Sequence, residues 1–410
     1  MASWPTAWPP FLFGAATSSH QIEGNQQNDW TDWEESGHGV EPSGRATDHW
    51  ERWADDLALF KSLGLNAYRF SLEWSRIEPE PGQFDRNALA QYRAMILRMR
   101  ELGLQPLLTL HHFTFPRWVA KRGGFVHPEA HQWFNRYTTQ VMRHLGDIVD
   151  LFVTTNEPMV LVVMGYLIAL WPPGGHGFRR AFRLIDRLVD AHRAAYRTIK
   201  DFKPDAWVGV AHHLIAFHPW TQLPWDRATA AVLRHLMNDR FMDKVGAEQD
   251  FIGVNYYTRQ YGRLLGGLHP VQSRPGMPLT DLGWEIYPQG LLEVLRRVGR
   301  FRRPILITEN GIATSQDQVR STYIRDHLSQ VAIAQQEGLD IRGYFYWSAL
   351  DNFEWAEGYR PRFGLIGVNY DTLERNLRPS AAVYRAIIEA NRGQYPISVP
   401  SILSPWVSPL

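Results

Sequence analysis

Two glutamates occupy matching places in the chain. Glu157 lies in LFVTTNEP and Glu309 in PILITENG; each ends a short apolar, β-branched run and has an asparagine beside it. One glutamate at such a place is ordinarily a solvated or ion-paired loop residue. Two of them facing each other across one cleft are the minimum machinery for cleaving a glycosidic bond. One carboxyl protonates the departing oxygen while the other attacks the anomeric carbon or activates water. Other polar residues recur where apolar runs end. Gln21 and Glu23 follow the first run and Arg69 lies within the second. His111 and His112 close the third, Asn156 the fourth, Asn255 and Tyr257 the sixth, and Trp347 the eighth.

The elements that must bring these groups together can be read from the same chain. Eight apolar runs occupy residues 11–17, 67–74, 106–113, 151–156, 207–215, 251–257, 305–309 and 341–347. Near-continuous apolar runs suit parallel strands buried on both faces. Helical spacing fills the intervals: Leu57, Phe60 and Leu63 share one stripe, as do Leu89, Ile96, Met99 and Leu102, with Gly64 and Gly103 as stops. The pattern predicts an α/β fold, a single (β/α)8 TIM barrel with its chemistry at the C-terminal ends of the strands. The expected organisation is a catalytic barrel over residues 1–392 and a Pro-rich tail over 393–410, wrapped on the surface or disordered. Residues 258–288, rich in Gly and Pro, are expected to form a long functional loop.

Composition removes several classes of function. The 43 basic and 42 acidic side chains leave a net charge of +1, which argues against nucleic acid as a partner. There is no cysteine, so disulfides, thiol catalysis and thiolate metal sites are excluded. The N-terminal stretch lacks the pattern of a secretory signal and no apolar run is long enough to span a bilayer; a cytoplasmic location and no membrane partner are expected. The histidines at 111–112, 212–213 and 218 invite a metal reading. Neighbours on a strand point to opposite faces, however, and neither HExxH nor HxH spacing occurs, so no metal is expected. No GxGxxG follows a strand, so no dinucleotide and no other cofactor is expected. The basic runs 179–183 and 296–303 fall in outer helices, where solvated charge is the default. The 17 tryptophans serve either a large aromatic core or sugar stacking.

The motifs FLFGAATSSHQIEG, AYRFSLEWSRI, TTNEP, FIGVNYYTR, ITENG and YFYWSALDNFEWAEGYRPRFGL, in this order, resemble glycoside hydrolase family 1 over nearly the whole chain. The resemblance implies Glu309 as nucleophile and Glu157 as acid/base, with Asn156 on the sugar 2-hydroxyl and Arg69 and Tyr257 holding the nucleophile. Asn255 would support them. Gln21, His112, Glu354 and Trp355 match residues that grip sugar hydroxyls, Trp347 matches the platform under the ring, and Trp284 resembles a wall of the leaving-group site.

Function is implied at the same level: retaining hydrolysis of terminal β-linked sugars, glucosides first, with galactosides and fucosides tolerated. The partners would be small β-glycosides or short oligosaccharides. The Ser, Lys and Tyr pocket of 6-phospho members is missing. Retention implies carboxyls roughly 5–5.5 Å apart, against about 6.5–9.5 Å for inversion. The Arg69 cation would favour ionised Glu309, whose charge would in turn keep Glu157 protonated. His111–His112–Phe113 departs from the Tyr-His-Trp run of many members, and the shorter span 225–250 leaves the aglycone preference open. The alternatives are a catalytically silent sugar-binding relative, which would typically lose one glutamate, and a metal-dependent barrel hydrolase.

Overall fold

The eight apolar runs fold as eight strands: β1 (Leu12–Ala16), β2 (Ala67–Ser71), β3 (Gln105–His111), β4 (Leu151–Asn156), β5 (Trp207–Pro219), β6 (Phe251–Gly262), β7 (Ile305–Asn310) and β8 (Ile341–Trp347). In the computed structural model, which describes residues 4–6, 8–264 and 270–399, they close into one parallel barrel in chain order, with β1 paired to both β2 and β8. Helices connect successive strands, as parallel pairing requires. Those expected around Leu57 and Leu89 span His49–Ser62 and Arg86–Glu101. Both end before a glycine with positive φ, Gly64 at 81° and Gly103 at 66°, a conformation that an L side chain strains to adopt.

Alternation along the strands divides the apolar residues into two layers. Leu12, Ala16, Ala67, Leu151, Val153 and Phe345 pack inside the barrel. Phe13, Tyr68, Phe70, Phe152, Tyr344 and Tyr346 face the helices. Trp207 starts β5, and Trp4, edge-on at 5.3 Å, and Trp8, tilted at 6.0 Å, pack around it at the N-terminal end. Several tryptophans are thus core. Arg69 occupies an inward position of β2, between the inward Ala67 and the mouth, and is fully buried.

Two expectations need correction. β6 continues through residues 258–262, which the sequence assigned to a long loop, because β5 also runs on and pairs with it from Ala216↔Arg259 to Pro219↔Gly262. Val271 then bridges back to Tyr261, so part of the remaining loop is also tied to the sheet. Glu23 does not face the mouth; its carboxylate accepts hydrogen bonds from Gln26, Arg76 and Tyr92. Of the tail, Ile397 is buried and its amide donates to Gln335, while Tyr395 reaches Asp340. Residues 400–410, the rest of that expected tail, lie outside the described residues. Among the described residues no helix is long and apolar enough to cross a membrane.

Candidate active site

Register brings the polar ends of the strands to one level. His213 on β5 pairs with Asn255 on β6, and Asn255 pairs with Glu309 on β7. The ladders break near this level, between Val153 and Asn156, Leu214 and Ala216, Val254 and Asn255, and Ile307 and Asn310. Such irregularities re-aim the side chains beyond them, and they cluster where the site residues leave the barrel wall.

Arg69 ties four strands together. Its Nη1 donates to Glu309 Oε1 at 2.5 Å and to the Thr308 carbonyl at 3.0 Å; Nη2 donates to Asn156 Oδ1 at 2.7 Å and Nε to Thr109 at 3.2 Å. The other oxygen of Glu309 accepts the Tyr257 hydroxyl at 2.6 Å. Asn156 has its carbonyl oxygen committed to Arg69 and Asn255, so its amide nitrogen must face His112 Nε2, 3.0 Å away. Burial, with the Arg69 charge adding, holds the His112 imidazole well below its ordinary range. The ring is neutral, accepts at Nε2 and carries its hydrogen on Nδ1. Among the described residues that buried nitrogen has no partner, which leaves it available as a donor.

Glu157 follows β4 directly, in a left-handed conformation with φ of 43°. Its amide donates to the Ala211 carbonyl at 2.8 Å, which anchors the turn to β5. A non-glycine residue held there is strained, and such strain concentrates at functional sites. Its Oε1 accepts Asn255 Nδ2 at 2.8 Å and lies 3.3 Å from His213 Nδ1. Asn255 is itself oriented by Thr308, whose hydroxyl donates to Oδ1 at 2.6 Å.

The electrostatics of Glu309 differ from the expectation. Arg69 and Tyr257 favour ionised Glu309, but burial is the larger influence and the Glu157 charge adds to it, so the Glu309 carboxyl is pushed up to about 7. Glu354 is pushed up to about 8, by burial first and then by the charges of Glu309 and Glu157. Its Oε2 accepts from Gln21 Nε2 at 3.3 Å, and Gln21 is held by Ser18 and the Phe353 carbonyl.

Aromatic rings line the rest of the mouth. Trp347 lies near-parallel to His112 at 5.9 Å, and Trp355 is stacked on His20 at 5.3 Å. Trp284 packs its edge on Tyr257 at 5.6 Å. The twelve residues that the resemblance assigned to the site meet in this constellation, whereas Glu23 and His111, also noted at strand ends, turn away from it. His213, Thr308 and Thr109 were missed as contributors. His213 was weighed only as a metal ligand, although its odd-numbered place on β5, in phase with Ala211, marks it as inward-facing. Its neighbour His212 turns outward to Phe241, as His111 does to Phe115 and Phe125. Among the described residues no group of three or more His, Cys, Asp or Glu could hold a metal ion.

Comparison with known proteins gives the same picture. The model of glycosyl hydrolase family 1 matches residues 6–247 and 237–393. Beta-glucosidase A of Thermotoga maritima is 31% identical over 93% of this chain and 97% of its own length. The beta-galactosidase of Pyrococcus woesei is also 31% identical, over 93% of this chain and 97% of its own. The beta-glycosidase structure from Pyrococcus horikoshii superposes with a TM-score of 0.89 at 41% identity, covering 94% of both chains. The chain belongs to glycosyl hydrolase family 1.

Proposed function

We propose that this family 1 glycoside hydrolase is a retaining β-glucosidase that also accepts β-galactosides and β-fucosides at the non-reducing end of small glycosides. Glu309 attacks the anomeric carbon as Glu157 gives its proton to the departing oxygen, so the glycosidic bond breaks and a glycosyl ester forms on Glu309. Glu157, now a carboxylate, takes a proton from water; the water oxygen attacks the same carbon and releases Glu309. The observation that carries this reading is the unequal setting of the two carboxyls. Glu309 faces a buried guanidinium and a phenol that stabilise an anion, whereas Glu157 faces an amide and an imidazole.

The surrounding groups take supporting roles in the same reading. Asn156 meets the sugar 2-hydroxyl, and His112, Gln21, Glu354 and Trp355 hold the other hydroxyls. The unpaired Nδ1 donor of His112 supports its place among them. Trp347 underlies the ring, and Trp284 borders the leaving group.

Proton NMR of the sugar released from 4-nitrophenyl β-D-glucoside, recorded before mutarotation, tests the mechanism. The β-anomer should appear first. An α-anomer appearing first would overturn the role of Glu309 as nucleophile.

A further inference from the structure

We propose that His213 is a positioning residue for Glu157, donating from Nδ1 to the carboxylate and thereby favouring the base half of the reaction. The inference rests on the reading of Glu157 as acid/base and extends it to a residue outside that machinery.

The geometry starts on β5. His213 points inward beside the end of β4, with Nδ1 3.3 Å from Glu157 Oε1 and its ring lying 6.0 Å from that of Tyr257 at 27°. Its side chain is 18% exposed and that of Glu157 is 9% exposed, so water screens the pair weakly. A carboxylate only accepts hydrogen bonds, so Nδ1 must carry the hydrogen when Glu157 is ionised. Asn255 Nδ2 reaches the same oxygen. Two donors therefore converge on Oε1, and proton traffic with the substrate falls to Oε2.

The charged and titratable groups facing His213 are Glu157 after β4, Tyr257 on β6 and Glu309 on β7. Tyr257 stays neutral, because burial and then the Glu309 charge push its hydroxyl well above its ordinary value. Burial opposes a charge on His213, yet the Glu157 and Glu309 carboxylates outweigh it and raise the imidazole. Adjacent His212 behaves oppositely: burial first, with His192 adding, pushes it down to about 3.

The consequence differs between the two steps. When Glu157 loses its proton to the leaving oxygen, the new negative charge meets a donor already in place. The same donor opposes reprotonation. His213 therefore helps the step in which Glu157 must be a base and limits the pH range in which it remains an acid.

The experiment compares His213→Ala and His213→Asn with the unsubstituted enzyme on two substrates. 2,4-Dinitrophenyl β-D-glucoside leaves without proton assistance, so its turnover reports the base step; methyl β-D-glucoside reports the acid step. His213→Ala should lower kcat on the dinitrophenyl substrate roughly tenfold, the scale of one hydrogen bond to a charged group. His213→Asn, which keeps an amide donor, should recover part of the loss. In His213→Ala the basic limb of kcat/KM for methyl β-D-glucoside should move to higher pH, and in His213→Asn it should move less. In a Glu157→Ala background with azide as nucleophile, adding His213→Ala should change nothing further. Equal losses in both backgrounds, or an unmoved basic limb, would overturn the proposal in favour of simple packing. If Glu157→Ala alone left methyl glucoside hydrolysis intact, the acid/base reading would fall first, before any His213 variant was measured.

Discussion

Arg69 Nη1 lies 2.5 Å from Glu309 Oε1, across the barrel interior from β2 to β7, and Arg69 is fully buried. Both charges have left water, so the pair depends on its remaining hydrogen bonds to the Thr308 carbonyl, Asn156 and Tyr257. Arg69→Met should leave the Glu309 carboxylate uncompensated and destabilise the fold by about 3–5 kcal/mol. Activity should fall by two orders of magnitude or more, on the scale of losing a preorganised charge partner. Denaturant unfolding and kcat/KM on the same preparation would separate the two losses.

Tyr257→Phe removes one hydroxyl from Glu309 Oε2 and leaves the ring packed against Trp284. The loss of a hydrogen bond to a charged group, about 1.5–3 kcal/mol, should lower kcat by roughly tenfold or more. An unchanged kcat would show that Arg69 alone orients the nucleophile.

Glu309→Ala should abolish ordinary hydrolysis and Glu157→Ala should slow it, and the two should differ in rescue. With azide, Glu157→Ala should yield the β-glycosyl azide by attack on the glycosyl-enzyme, and Glu309→Ala the α-azide by direct displacement. For Glu157→Ala the loss in kcat/KM on alkyl glycosides should be about 10²–10⁴-fold, with far less on aryl leaving groups of low pKa, whose kcat still falls because the base for the second step is gone. A leaving-group-independent loss would contradict the acid role.

Glu354 predicts a pH dependence of stability. Its folded carboxyl sits at about 8 against an ordinary 4.5, so across that window the native state holds a proton that the unfolded chain has lost. Unfolding then releases a proton, and stability falls as pH rises from about 4.5 to about 8. Glu354→Gln should flatten that fall, gaining stability at pH 8 relative to the parent and none at pH 4. Thermal unfolding midpoints at the two pH values check the sign.

Much of this arrangement was legible in the chain because it depends on local order. Apolar runs of strand length, helical stripes closed by Gly64 and Gly103, and a glutamate ending each of two runs are properties of neighbouring residues, and they announced the barrel and both carboxyls. Alternation also told that only one histidine of each adjacent pair could face inward, though not which one. The tertiary structure decided everything that depends on stagger between strands. Closure of the barrel set His213 level with Asn255 and Glu309. Breaks in the ladders turned Asn156 and Asn255 towards one another, and Arg76 and Tyr92 drew Glu23 away. The balance on Glu309 belongs to the same level. The attraction of Arg69 was visible in principle, but the larger effect of burial depends on how the whole barrel excludes water, and no short stretch of sequence carries that quantity.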